Sequence, residues 1–309
     1  MKQIIIALLF VIPGVGFAAD ITVRQDEQNK LLTIDNGSLK YVFRTTDNKL
    51  MNIVCGTDGK NLLSTIPGGG ARWIYLTQEK QRKAFRQGEV KGPASHDIIR
   101  SDDGPVKIQL HTRLSALQIE EVYVFETNGG ITHTYEIEAV ESIPAMQLFC
   151  WEAKLGISAE LLEPFDNLAW GKGPATLRNE KQFKTAGQIR GPMIKLSNKR
   201  AWAACCWLKP SDLEERFIAL QNSKTGDYWM LAFEEDGQQP WFFLGDSAKG
   251  NTSEWIGFRV FGQHVFSPKM PTFHIDKGTK WSGTIGHIIS NGKRFEDLSA
   301  AYNQWLNNQ

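Results

Sequence analysis

A surplus of charge of either sign is missing from this chain: 35 Lys and Arg stand against 34 Asp and Glu in 309 residues. A nucleic-acid binder shows a basic excess or stripe, and no such footprint is present. A local group of Arg and Lys can still sit inside a neutral total and serve a polyanion. Long hydrophobic runs are missing as well. The apolar stretch Ile4 to Ile12 is nine residues, where about 20 are needed to cross a bilayer as a helix. Cysteine is sparse, confined to Cys55, Cys150, Cys205 and Cys206, and the spacing lacks the two Cys-x-x-Cys pairs of a structural zinc site. No two of the six histidines stand four apart, which excludes the zinc-binding helix motif. The glycines of "IPGGGARW" (Ile66 to Trp73) lack the lysine and the strand-to-helix setting of a phosphate cradle. A Gly-x-Ser-x-Gly nucleophile elbow is absent, and so is any fixed-period repeat that would signal a solenoid or propeller.

What is present begins with an amino terminus in the order of a secretory signal: Lys2, the apolar run, and the small residues Gly16 and Ala18 two apart. Residues 1–18 are therefore expected to be removed, leaving 19–309 as one domain exported to the periplasm or the exterior. Loss of Lys2 leaves 34 residues of each sign. An exported chain permits disulfides, although four cysteines do not reveal their pairing. Cys205 and Cys206 read as consecutive strand residues facing opposite ways.

Alternation of period two dominates the rest. It runs through Lys107 to Leu114, Glu120 to Phe125, Ile131 to Ile137, Ala201 to Leu208, Tyr228 to Phe233, Trp255 to Phe261 and Trp281 to Ile289, with Gly-, Pro-, Asn- and Asp-rich turns between. This predicts an all-β chain, a large antiparallel β-sandwich. Asn36-Gly37 marks a hairpin within Leu32 to Phe43, and Asp47 to Leu50 a further turn. Phe295, Leu298, Tyr302, Trp305 and Leu306 recur at helical spacing, predicting a short C-terminal helix docked on a sheet. Pro210 to Glu215 offers a weak second helix. The stretch 157–198 shows little alternation and reads as loop, where ligands are often met.

The turn "TNGG" at 127–130 suggests a register for the central hairpin. With Asn128-Gly129 as a two-residue turn, Glu121 faces Glu136, and Tyr123, Phe125, Thr132 and Thr134 share their face. His133 then joins Val122, Val124 and Ile131 on the core face. Two carboxylates directly opposite each other repel, so the pair Glu121 and Glu136 suggests a shared proton, a cation or solvated surface. Tyr123 lies beside them. Trp151 next to Glu152 offers an aromatic platform beside a carboxylate, and Trp241 after Pro240 a second platform, with Phe242 and Phe243 assigned to core.

The opening order is strand, Asn-Gly, strand, Asp-Asn-Lys-Leu, strand, "GKNLL" (Gly59 to Leu63), then "GGGARWIY" (Gly68 to Tyr75). Together with the closing "IDKGTKWSGTIGHII" (Ile275 to Ile289) it resembles the galactose-mutarotase-like superfamily of β-supersandwich proteins. The resemblance implies a supersandwich fold and a carbohydrate ligand in a groove on the concave sheet. It places Arg72, with Trp73 beside it, where the epimerase branch often has a sugar-contacting arginine. The Asn-His-x-Tyr-Phe stretch of that branch has no counterpart in "MQLFCWEAKLG" (Met146 to Gly156), which points away from a simple monosaccharide mutarotase.

The resulting expectation is an exported protein that cleaves an oligo- or polysaccharide. Hydrolysis would use Glu121, Glu136 or Glu152. Elimination would use Arg72 or Arg113 to neutralise a uronate while a Tyr, His or Glu takes the proton. A noncatalytic carbohydrate-binding or envelope protein, and a diverged aldose 1-epimerase, are the alternatives. No cofactor or metal is required by these residues, and calcium is left open. No nucleic-acid partner or membrane span is expected, and the sequence sets no oligomeric state.

Overall fold

The computed structural model describes residues 21–37, 39–55, 60–61, 70–78, 85–87, 94–100, 104–127, 130–154, 167–179, 184–190, 193–195, 204–208, 210–234, 242–246, 256–264 and 273–308. The signal sequence expected at 1–18, the turn residues Asn128 and Gly129, and Trp241 lie outside them. The described strands form two antiparallel sheets. The larger has 14 strands and runs from Thr22–Asp26 through Leu31–Asp35, Leu39–Arg44, Lys49–Cys55 and Gly70–Gln78 to Ile143–Lys154. It continues through Ile256–His264, Phe242–Asp246, Ala204–Leu208 and Pro174–Asn179 to Lys184–Arg190, with the short strands Lys60–Asn61, Phe85–Gln87 and Phe273–Ile275 paired beside this path. The smaller has nine strands: Met193–Lys195, Asn167–Trp170, Phe217–Gln221, Asp227–Phe233, Lys280–Asn291, Ile131–Ala139, Leu117–Phe125, Val106–Leu114 and Ser95–Arg100.

The core between the sheets follows from the alternation. Leu117, Ile119, Tyr123 and Phe125 from the smaller sheet meet Leu32, Ile34, Tyr41 and Phe43 from the larger one. Ring contacts cross the interface, with Tyr41 and Tyr123 at 6.4 Å and Trp73 and Tyr135 at 4.7 Å between centroids. The amino-terminal hairpin forms as expected, with Asp35 opposite Lys40, Gly37 at φ 82° and the Asn36 side chain accepting from Leu39 N–H. Asn48 occupies the left-handed region at φ 52° in the next turn, and its amide donates to the Ser95 and His111 carbonyls and to Thr112 Oγ1. That turn thus ties the larger sheet to the smaller one.

The stretch 157–198 departs from its reading as loop. It holds four strands, Asn167–Trp170, Pro174–Asn179, Lys184–Arg190 and Met193–Lys195, at or beside the outer edges of the two sheets. Short segments near a sheet edge lack the clean alternation of a half-buried central strand, so period two did not reveal them. The proposed helix at Pro210 to Glu215 reduces to a single 3-10 turn, Pro210–Asp212.

The C-terminal helix, Phe295–Leu306, lies on the outer face of the smaller sheet. Its Leu298, Tyr302 and Trp305 pack with Phe217, Ala219, Tyr228, Met230 and Ala232 in a second buried cluster. Close approach depends on Gly286, where an added Cβ would stand 2.4 Å from the Trp305 ring. Gly286→Ala is therefore expected to cost about 2 kcal/mol through overpacking. Thermal unfolding should show a lowered Tm, and an unchanged Tm would mean that the helix does not sit against this strand. No helix among the described residues is long and apolar enough to cross a membrane.

Candidate functional site

Strand pairing assembles one row across the larger sheet from segments far apart in sequence. Glu152 stands opposite Arg72 on one side and Arg259 on the other. Arg259 stands opposite Phe243, Phe243 opposite Trp207, and Trp207 opposite Thr176. Successive strand residues alternate between faces. Because Trp73, the neighbour of Arg72, is buried against the smaller sheet, Arg72 occupies the opposite face, and the other positions of the row stand in ladder register with it. With about 4.8 Å between strands, the five positions from Arg72 to Trp207 span about 19 Å. A register shift at Phe149/Cys150, two residues from Glu152, bends the strand beside the row.

The adjoining row on that face is Gly70, Lys154, Gly257 and Gly245 in ladder order. Gly70 is covered, because a Cβ there would lie 2.8 Å from Lys49 Cε and 2.6 Å from the Leu50 carbonyl. Gly257 and Gly245 sit side by side next to Arg259 and Phe243. Paired glycines leave a strip of sheet without side chains, a place for close approach by a ligand. The face is sheltered at this end: Arg72 is half-buried, and Ile74 and Lys49 are 6% and 5% exposed.

The second concentration of polar groups lies inside the sandwich. Glu121 is 5% exposed, and His133 Nε2 donates to its Oε1 at 2.8 Å while the Tyr123 hydroxyl approaches the same oxygen at 3.4 Å. Tyr123 stacks on His133 across the ladder, 4.1 Å between centroids and 9° between planes. His287, fully buried, is hydrogen-bonded through Nδ1 to the Tyr41 hydroxyl at 3.2 Å. Among the described residues His287 Nε2 and His133 Nδ1 have no hydrogen-bond partner, and the two rings are 5.7 Å apart. Burial, with His133 nearby, holds the His287 pKa well below the usual histidine value. Burial first, then Glu121 and Tyr41, push the Tyr123 hydroxyl well above its own.

The register of the central hairpin differs from expectation by one residue. Phe125 pairs with Ile131, Tyr123 with His133, and Glu120 with Glu136. Glu126 N–H donates to the Gly130 carbonyl, closing a five-residue loop in place of a two-residue turn. A shift of one residue exchanges the faces of a strand. Glu121 and Tyr123 consequently join His133 inside, with Phe125, whereas Val122 and Val124 turn outward with the exposed Glu136. The expected Glu121 and Glu136 pair does not exist. The carboxylates that do face each other, Glu120 and Glu136, belong to the outer surface of the smaller sheet, with His111 Nδ1 3.9 Å from Glu120.

Other expected residues part company too. Trp73, Trp151 and Tyr123 are core residues, Trp151 being 1% exposed and set edge-on to His287 at 5.4 Å, so none offers a platform to a ligand outside. Arg113 lies on the exposed face of the smaller sheet, paired with Glu141 at 2.6 Å, away from Arg72 on the larger one. Phe242 pairs with Val260 and Phe243 with Arg259. Arg72 and Glu152 are the expected residues that the fold brings together. Arg259, Phe243, Trp207 and Lys49 escaped sequence reasoning, because only strand order sets segments about 100 residues apart beside Glu152; the alternation in "IGFRVFGQH" was the available signal.

No family model and no curated protein matches the sequence. Solved structures do. A galactose mutarotase-like protein from Lactobacillus casei ATCC 334 superposes with a TM-score of 0.58 at 12% identity, covering 84% of this chain and 100% of its own. A galactose mutarotase related enzyme from Lactobacillus acidophilus gives 0.56 at 9% identity, covering 84% and 97%. Galactose 1-epimerase from Lactobacillus acidophilus NCFM gives 0.52 at 11% identity, covering 88% and 98%. Two antiparallel sheets packed face to face, one short C-terminal helix and these superpositions establish that the chain has the galactose-mutarotase-like β-supersandwich fold.

Proposed function

We propose that this is an exported carbohydrate-active protein that binds an oligo- or polysaccharide across the outer face of the larger sheet and cleaves it there. The observation that carries the reading is the row Arg72, Glu152, Arg259, Phe243, Trp207, beside the Gly257 and Gly245 strip, in a mutarotase-like fold. Each residue type has a use in sugar recognition. Flat aromatic groups match the C–H faces of sugar rings, guanidinium groups donate in pairs to ring substituents, and a carboxylate accepts hydroxyl protons or transfers them in the reaction. Glu152 is the proton-transfer group in this reading. Glu121 is sealed inside and Glu136 stands on the other sheet, so hydrolysis by those two carboxylates is not supported.

Titration of the purified chain with a panel of oligosaccharides is expected to give binding that Trp207→Ala weakens about tenfold, the size of one lost stacking contact. Products separate the reactions. New reducing ends indicate hydrolysis, ultraviolet-absorbing unsaturated ends indicate elimination, and anomer interconversion without cleavage indicates an epimerase. Binding that Glu152→Gln preserves, with no turnover in the parent chain, would make it a recognition protein. Binding unaffected by Trp207→Ala would place the sugar elsewhere.

A further inference from the structure

A cavity lies where the edges of the two sheets come together. Thr22–Asp26 is the terminal strand of the larger sheet and Ser95–Arg100 that of the smaller one. Gln25 and Glu27, at the end of the first of these strands, and Ser95 and His96, at the start of the second, line a cavity of about 530 Å³. Lys30, Thr45 and Thr46, from the turns that follow the first and third strands, complete its wall. The volume falls within the range of small-molecule sites, about 300–1,000 Å³.

Hydrogen bonds fix these segments, which are far apart in sequence, relative to one another. The amide of Asn48, 6% exposed, donates to the Ser95 carbonyl at 2.9 Å and so pins the start of the smaller sheet's edge to the turn carrying Thr45 and Thr46. Thr45 N–H donates to the Lys30 carbonyl at 2.9 Å, which joins that turn to the one before it. Lys30 and Asn48 both adopt left-handed backbone, at φ 56° and 52°, conformations uncommon for a residue with a Cβ and held by the surrounding structure. The walls are therefore preformed, which lowers the ordering cost of binding.

The side chains on these walls suit a partner rich in hydroxyls. Among the described residues, no protein group bonds to the Thr45, Thr46 or Ser95 hydroxyl or to the His96 ring. A hydroxyl both donates and accepts, as does a neutral imidazole, and a sugar hydroxyl offers the same two roles in return. An anion offers acceptors alone. Its natural partner here, Lys30, already faces Glu27 at 3.6 Å, and Glu27 also accepts from Gln25 Nε2 at 2.6 Å. The single carboxylate and the single ammonium thus balance each other. No aromatic ring lines the cavity, so a flat apolar ligand finds no stacking surface.

We propose that this edge cavity is a second binding site, one for a neutral monosaccharide held through its hydroxyls by Thr45, Thr46, Ser95 and His96. It stands apart from the row on the larger sheet, since four strand intervals, about 19 Å, separate Thr22–Asp26 from Gly70–Gln78. Nor does it rest on the reading of that row.

The test is titration of the full chain with galactose, glucose and mannose, and with inorganic phosphate as a charged probe, followed by proton NMR of the histidine rings. At least one hexose is expected to bind with a dissociation constant of about 1 mM, the scale of a few neutral hydrogen bonds, and to shift the ring signals that His96→Ala removes. Thr45→Val and Thr46→Val keep the side-chain shape and should each weaken binding about fivefold, the loss of one such bond, with Tm unchanged. Hexose binding that Trp207→Ala abolishes and Thr46→Val leaves intact would place the sugar in the row and overturn this inference. Phosphate binding more tightly than every hexose, affinity unmoved by both threonine changes, or unshifted His96 signals at tens of millimolar sugar would overturn it equally.

Discussion

Glu121→Ala is expected to destabilise the protein by about 3 kcal/mol, the cost of removing one partner from a buried hydrogen-bonded pair. The carboxylate is nearly sealed between the sheets, and His133 Nε2 and the Tyr123 hydroxyl both aim at Oε1. Alanine leaves the imidazole N–H and the phenol facing a cavity with no acceptor of comparable strength. Among the described residues His133 Nδ1 has no partner, so both ring nitrogens would then lack one. Glu121→Gln keeps the volume and one acceptor oxygen and should cost less than half as much. Denaturant unfolding measures both, and equal stability of Glu121→Ala and the parent would show that the pair is not formed. The experiment also separates structure from chemistry. A variant of Glu121 that folds yet loses activity, while the face carrying Glu152 is intact, would return the catalytic role to the interior.

Acid should weaken the fold through His287. Its pKa is held well below the ordinary value by burial and by His133 beside it, while in the unfolded chain it titrates near 6.5. The unfolded state therefore binds more protons as pH falls. The stabilisation is fully present above about pH 6.5 and is lost as pH drops through that value toward the folded pKa, by up to about 1.4 kcal/mol per pH unit. Tyr41, Tyr123, His133, Trp151 and Trp229 surround the ring and contribute no carboxylate to offset a charge; Glu121 pairs with the neighbouring His133 and Tyr123. Unfolding free energies measured from pH 7.5 to 5 should fall, and His287→Asn, which retains an acceptor for Tyr41, should flatten that slope. An unchanged slope in the variant would assign the acid sensitivity to other groups.

The two sheets divide the work. The interior polar cluster makes packing between Tyr41, Trp151 and the central hairpin specific, whereas the row across the larger sheet carries the groups of the proposed ligand site. Both are built on the same strand: Trp151 faces inward with His133 and His287, and its neighbour Glu152 stands between Arg72 and Arg259. A substitution that tilts this strand is thus expected to disturb recognition through its packing side.

Local sequence established much of this protein. Period-two alternation, the Asn36-Gly37 turn and the stripe Phe295, Leu298, Tyr302, Trp305 set the all-β sandwich and its closing helix, since face preference and turn conformation are properties of a few adjacent residues. Hairpin register was not legible. A five-residue loop and a two-residue turn differ by one residue in phase, and that phase alone decides that Glu121 lies in the core and Glu136 in solvent. The candidate site was legible only at Arg72 and Glu152. Placing Arg259, Phe243 and Trp207 in their row required the order of strands in the sheet, a property of long-range pairing that no local pattern encodes.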